Sequence, residues 1–310
     1  MIAAALSTGF FTFMFCGNIW DFLIGCLSGF TIQFAFTYTH KNEFFNIMSA
    51  LFGSMIASLY AAIFSHFLPI APQIVIVSSM MPLFPGISMT NAVRDSMRGD
   101  LTSGITRGVE ALLIAVMLSL GTGIVYSVFH MATKISIQFN MNLPQLIASS
   151  FFGTLFFAFI QESPNKAIIT SAFVGAFSCV VYYFVDIYTN SALLAIFAGS
   201  FSIAFVSEIL ARRMRMPTTT FISTSIVPLV PGIGLFLTML AMVEQNNLQF
   251  LSSGVSASLQ IGAMAMGLAL DAFLLSTFTT KRIRKMLKKE EAGLYAKNIG
   301  RKKKPSQTNS

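Results

Sequence analysis

Polar residues arrive in this chain as short interruptions of long apolar stretches, not as an alternation with a period of two or a one-faced helical stripe. Taken as boundaries, they leave apolar runs over residues 2–16, 22–38, 44–68, 72–93, 104–129, 143–160, 167–184, 191–209, 217–243 and 254–277. About 17 to 25 helical residues cross the roughly 30 Å of a bilayer's hydrocarbon. Nine runs reach that length and the first falls short. The pattern therefore predicts an all-α polytopic membrane protein of about ten transmembrane helices.

Composition supports this. Of 310 residues, 55% are hydrophobic and 10% charged, whereas soluble domains carry about a quarter charged residues. Eleven of the twenty Lys and Arg fall between Lys281 and Lys304, directly after the last apolar run. A cluster there meets anionic lipid headgroups on the cytoplasmic face, so the tail is assigned to the membrane surface and not to nucleic acid. Cys16, Cys26 and Cys179 sit singly in apolar runs without pair or metal spacing. The amino terminus has no charged n-region or cleavage site and is taken as a span.

Cationic loops stay cytoplasmic. With ten spans and the tail inside, Lys41, Arg94, Arg98, Arg107, Lys166, Arg212, Arg213 and Arg215 all fall at cytoplasmic ends, and only Lys134 falls outside. The expected location is the plasma (inner) membrane, with both termini cytoplasmic. Residues 281–310 form a basic tail.

The chain also repeats itself. Pro82, Leu83, Pro85, Gly86 and Ile87 recur as Pro228, Leu229, Pro231, Gly232 and Ile233, and at the same spacing Gly29 recurs as Gly175 and Gly53-Ser54 as Gly199-Ser200. Past the motif, matching Ser103-Gly104 to Ser253-Gly254 and Glu110 to Gln260 calls for a four-residue insertion. Residues 1–139 and 140–280 are thus expected to be two five-span repeats. An odd span number makes the second enter the membrane in the opposite sense, giving an inverted-topology repeat.

Helices four and nine each carry Pro-x-x-Pro-Gly near the middle. Proline removes a backbone donor and clashes with the preceding turn, and glycine permits unwinding. Main-chain groups freed at that depth must be buried in protein or line a water-filled path. Pro85, Gly86, Pro231 and Gly232 are therefore candidate binding residues, against the plainer reading that the breaks only shape packing. On the cytoplasmic side of the first break, Asn91, Arg94, Asp95 and Arg98 share a helical face. An arginine there attracts a carboxylate and an acid balances charge; the alternative is a loop of solvated ion pairs. Asp95, Asp100 and Glu110 are the proton-coupling candidates, with Arg107 one turn before Glu110 as its alternative partner and Gln260 as its counterpart in the second half. Glu208 and Asp271 are secondary. No Walker-type loop, nucleophile elbow or metal spacing occurs, so no enzyme activity, cofactor or metal is expected.

At these residues the sequence resembles the threonine/serine exporter family of ten-span carriers. Residues 81–115, Met-Pro-Leu-Phe-Pro-Gly-Ile-Ser-Met-Thr-Asn91-Ala-Val-Arg94-Asp95 onward to Arg107, Glu110 and Ala115, are similar to that family's first membrane half, and residues 226–234 to its second. In some bacteria the halves are separate subunits. Many single-chain members open with a hydrophilic region of roughly a hundred residues, whereas this chain opens almost directly in a span. The resemblance implies proton-driven export of threonine and serine; a two-subunit branch is associated with dicarboxylates such as succinate. A homo-oligomer is compatible with the sequence, and a non-transporting membrane scaffold is the rival of a different class.

Overall fold

The apolar runs become helices in the computed structural model, which describes residues 1–39, 45–85, 88, 91–92, 95–96, 99–129, 142–243 and 245–270. Gly86, Arg94, Arg98, Asp271 and the basic tail lie outside the described residues. The chain divides into Met1–Ala269 and Leu270–Ser310, and the architecture below is that of the first unit.

In order the helices are α1 (Ile2–Met14), α2 (Ile19–Thr39), α3 (Phe45–Phe64), α4 (Pro72–Met80), α5 (Leu101–Phe129), α6 (Leu143–Ile160), α7 (Asn165–Thr189), α8 (Ala192–Met214), α9 (Thr218–Ser225), α10 (Gly232–Val243) and α11 (Asn247–Leu270). Among the described residues six segments are long and apolar enough to cross a membrane: Ile19–Thr37, α5, α6, α7, α8 and α11. Ile2–Met14, Met48–Phe64 and Pro72–Leu83 are shorter apolar helices. Among the described residues there is no strand. The protein is a polytopic helical membrane protein.

α1 is short because the chain turns at its end. Cys16 takes a left-handed conformation (φ 61°), the Gly17 amide donates back to the Thr12 carbonyl at 2.8 Å, and the helix cannot continue. α6 stops the same way, with Glu162 at φ 50° and the Ser163 amide on the Ala158 carbonyl at 3.0 Å. α1 and α6 pack side by side and antiparallel. Ser7 Oγ donates to the Gly153 carbonyl (3.1 Å), Gln145 Nε2 donates to the Phe13 carbonyl (3.0 Å), and Phe10 stacks on Phe156 with centroids 5.9 Å apart.

Contacts recur at a spacing of 146. Gly29 is packed on Thr8 and Gly175 on Thr154; Gly53 meets Leu83 and Gly199 meets Leu229; Gly121 meets Ser54 and Gly267 meets Ser200. In each case a Cβ would crowd the partner, so the glycine sets how closely the two helices approach. The same spacing holds through the last helix, which corrects the expected four-residue insertion. Gly108 faces Ala92 as Gly254 faces Thr238. Gly99 turns at φ 89° where Gln245 turns at φ 55°. Asp100 caps α5 through the Ser103 amide (3.2 Å) as Asn246 caps α11 through the Gln249 amide (3.2 Å). Glu110 therefore corresponds to Ser256 and not to Gln260; pairing Ser103-Gly104 with Ser253-Gly254 follows residue identity, whereas packing pairs them one turn earlier, with Gln249 and Phe250.

α4 is buried on every side from Ile74 to Met80, Ser78 and Ser79 included, enclosed by α1, α2 and α3. The core continues from Val75, Ile76 and Met80 through Leu118 of α5 to Ile226, Phe236 and Met264 in the second half of the chain.

Candidate functional site

Each Pro-x-x-Pro segment breaks its helix in the same manner. α4 ends at Met80, a 3-10 turn spans Met81–Leu83, and Phe84 is extended (φ −62°, ψ 133°). α9 ends at Ser225, a 3-10 turn spans Val227–Leu229, and Val230 is extended (φ −58°, ψ 130°). The residue before proline is driven out of the α region by the pyrrolidine ring, so Pro85 and Pro231 dictate these conformations. The local hydrogen bonds pass from four-residue to shorter spans. Phe84 N–H is shared between the Met80 and Met81 carbonyls (3.1 and 3.4 Å), Val230 N–H reaches the Val227 carbonyl at 3.1 Å, and Gly232 N–H the Val230 carbonyl at 2.7 Å. α10 then starts at Gly232, with the Leu235 amide closing its first turn on the Pro231 carbonyl at 3.0 Å.

The two breaks touch. A Cβ at Gly232 would lie 3.0 Å from the Met81 sulfur and 3.1 Å from the Phe84 ring, so the absent side chain is what lets the start of α10 sit against the first break. Met81, Phe84, Pro85, Pro231 and Gly232 are all buried. Beside them is a polar group without a bond. Ser79, fully buried and three residues before Pro82, has no hydrogen-bond partner among the described residues, whereas Ser225, at its position in the second half, donates to the Ser171 carbonyl at 2.8 Å. Buried hydroxyls are nearly always satisfied; Ser79 shares its unpaired state among the described residues with Ser28, Ser58, Thr154, Ser171 and Ser207, and it stands one residue before the end of α4.

The other predicted residues scatter around this centre. Ser88, Asn91, Ala92, Asp95 and Ser96 are helical, Asn91 and Asp95 half-buried. Asp95 Oδ2 lies 3.5 Å from Arg107 Nε, so Arg107 turns to Asp95 across the Gly99 turn. That pair is half-exposed and contributes at most about 1 kcal/mol. Asp100 is engaged as the α5 cap, its Oδ1 also accepting from the Thr102 hydroxyl at 3.0 Å. Glu110 is exposed. Gln260 lies elsewhere, in an open cavity of about 280 Å³ with Ser191, Leu193, Ser252, Ser256 and Leu259, where its Nε2 is 3.3 Å from Ser256 Oγ. Glu208 ties Arg212 (2.9 Å) to the start of α9 by accepting from the Thr218 hydroxyl at 2.8 Å.

Sequence reasoning missed Asn18 and Asp21. Asn18 Oδ1 accepts from the Trp20 and Asp21 amides (2.8 and 3.0 Å), and Asp21 Oδ2 accepts from the Asn18 amide (2.8 Å). This is a capping box, and its Asn-x-x-Asp spacing ahead of an apolar run was the available signal.

Comparison with known proteins bears on the same stretches. Residues 1–129 match a family model described as a threonine/serine exporter, and residues 146–274 match one described as "Threonine/Serine exporter, ThrE". A threonine/serine exporter of Corynebacterium glutamicum is 22% identical over 265 residues, covering 81% of this chain and 54% of that protein; the chain thus spans about half the relative's length. No solved structure matches the chain. The model boundaries fall on either side of the α5–α6 connection, and each model encloses one of the two helix breaks. With both membrane halves matched in order along one polypeptide, the chain belongs to the threonine/serine exporter family, a family of membrane exporters and not of enzymes.

Proposed function

We propose that this protein is a secondary transporter that exports small hydroxy amino acids, threonine and serine, driven by the proton gradient. Its frame is ten membrane crossings arranged as two five-helix inverted repeats, residues 1–139 and 140–280. It lies in the plasma membrane with both termini cytoplasmic, the basic tail resting on anionic lipid. The observation that carries the reading is the pair of matched breaks packed against each other, with the unpartnered Ser79 hydroxyl beside them. Two half-helices ending at one depth supply main-chain donors and acceptors to a solute and can rock against each other around it. The antiparallel packing of α1 on α6 supports the inverted arrangement.

In this scheme a threonine or serine enters from a cytoplasmic vestibule formed by Asn91, Arg94, Asp95 and Arg98, meets Ser79 and the freed main chain near Pro85, Gly86, Pro231 and Gly232, and leaves on the far side past the Gln260 cavity. A neutral, hydroxyl-lined exit suits a zwitterion better than a dianion. Asp100 and Glu110 keep their assignment as proton-coupling candidates only as secondary members, because one is held as a cap and the other faces outward.

The test is efflux from proteoliposomes loaded with labelled threonine, serine or succinate. Threonine and serine are expected to leave faster than from protein-free vesicles, and Asp95→Asn is expected to abolish that efflux at unchanged expression. Efflux of succinate alone would move the assignment to dicarboxylates, and no efflux of any of the three would leave a scaffold.

A further inference from the structure

Asp21 is the single Asp, Glu, Lys or Arg in residues 1–39 and 45–85. It is 1% exposed, and it is the only carboxylate so deeply buried among the described residues. Its two oxygens are divided between two helix starts. Oδ2 accepts from the Asn18 amide ahead of α2, and Oδ1 accepts at 2.8 Å from the Ala71 amide, the N-cap of α4 fifty positions away. Asn18 adds a second tie, its Nδ2 donating to the Pro69 carbonyl at 2.8 Å. Asn18 and Asp21 thus pin the α3–α4 connection, and with it the half-helix that runs to the first break, onto the α1–α2 turn. Gly17 leaves room for this, since a Cβ there would come within 3.1 Å of the Asp21 Cβ and 3.2 Å of Ile74.

Among the described residues no cation balances this group. α1, α3 and α4 carry no Lys or Arg. The titratable groups on the packed elements are Cys16 and the amino terminus at the two ends of α1, Cys26 and Tyr38 on α2, and Tyr60 and His66 on and after α3; the His66 Nδ1 is turned to the Ala62 carbonyl at 2.9 Å. A carboxylate buried without a counter-charge is held by its amide donors alone, which makes it a group that takes up a proton when those donors move away. The second half has nothing like it, with Pro164 and Ala167 at the positions of Asn18 and Asp21.

We propose that Asp21 is the proton-binding residue that couples the gradient to movement of α4, an inference that rests on the exporter reading. A proton from the outer aqueous phase adds to Oδ1, converting that oxygen from acceptor to hydroxyl donor. The Ala71 amide loses its partner, and α4 is released at its outer end while its inner end remains the first break. Return of the proton to the cytoplasmic water restores the carboxylate and its bond to the Ala71 amide. One carboxyl and one main-chain bond therefore link proton occupancy to the position of the half-helix.

The test uses proteoliposomes holding the full chain and labelled threonine, in two assays: net efflux into a more acidic outer buffer, and threonine-for-threonine exchange at equal pH. Wild-type net efflux is expected to rise with outside acidity. Asp21→Asn, which keeps one acceptor and cannot cycle a proton, is expected to lose that stimulation by about tenfold or more while exchange stays within about twofold. Asp21→Glu keeps a titratable group and is expected to retain the stimulation with a displaced pH midpoint; Asn18→Ala, which loosens the connection without touching the carboxyl, also retains it. Gradient stimulation surviving in Asp21→Asn, or absent from Asp21→Glu, overturns the proposal, and so does joint loss of exchange and stimulation in well-folded Asp21→Asn, which makes Asp21 a positioning residue only. Wild-type protein that moves no threonine in either assay instead sinks the exporter reading itself.

Discussion

The first and second halves of the chain agree where they bend and disagree where they carry charge. Their helix breaks match within a few degrees at Phe84 and Val230, and glycines at Gly29, Gly53 and Gly121 accept the same neighbours as Gly175, Gly199 and Gly267. Yet Asp21, Asp95, Arg107 and Glu110 stand where the second half has Ala167, Ala241, Ser253 and Ser256. Close packing and backbone geometry need both copies, because each half supplies one wall of the same centre. In the proposed transport cycle charge needs only one, because a proton or a carboxylate would be handled at one place at a time. The second half instead keeps its own carboxylate at the start of its broken helix, where Glu208 accepts from Thr218.

The largest expected effect comes from breaking the contact between the halves. Gly232→Leu drives a side chain into Met81 and Phe84, and a displacement of about 1 Å at a working site costs on the order of a hundredfold in rate; threonine efflux should fall at least that far. Next come the matched glycines. Gly121→Ala places a Cβ against Ser54 and the Leu51 carbonyl, and Gly267→Ala places one against Ser200 and the Phe197 carbonyl. Each should lower stability by about 1–3 kcal/mol, to similar extents, in thermal denaturation of the detergent-solubilised protein; a large loss from one and none from the other would break the equivalence of the halves. Ser79→Ala sharpens the comparison at the centre. Removing a hydroxyl with no partner among the described residues should leave stability unchanged or raised, yet lower kcat/KM for threonine by about two- to tenfold, the worth of one hydrogen bond to the solute. Ser225→Ala should do the reverse, weakening stability through its lost bond to Ser171 with a smaller effect on KM. The smallest effect belongs to Arg107→Gln, which removes a half-exposed ion pair and should change stability by less than about 1 kcal/mol.

Much of the fold was legible because membrane spans advertise themselves by length. The run at 143–160 coincides with α6, and the prolines of residues 82–85 and 228–231 announced both breaks, since proline removes a donor wherever it stands. Other features depended on what lies across a turn. Helical spacing offered Glu110 to Arg107, but the left-handed Gly99 folds the chain back and brings Asp95 into reach. The four-residue insertion came from pairing identical letters, and it takes the glycine contacts at Gly108 and Gly254 and the caps at Asp100 and Asn246 to reveal that 146 holds throughout. Asp21 was passed over because a lone acid at the start of an apolar run reads as a helix end; its bond to Ala71 joins segments fifty residues apart, and no local pattern encodes that.

The proposed transport cycle requires the two breaks to move against each other. With Cys16, Cys26 and Cys179 replaced by serine, Phe84→Cys combined with Gly232→Cys removes the ring that crowds Gly232 and leaves room for a short, reducible thiol cross-linker. Cross-linking should stop threonine efflux and reduction should restore it. Full efflux from cross-linked protein would contradict the account, since a solute would then pass without any rearrangement at the centre.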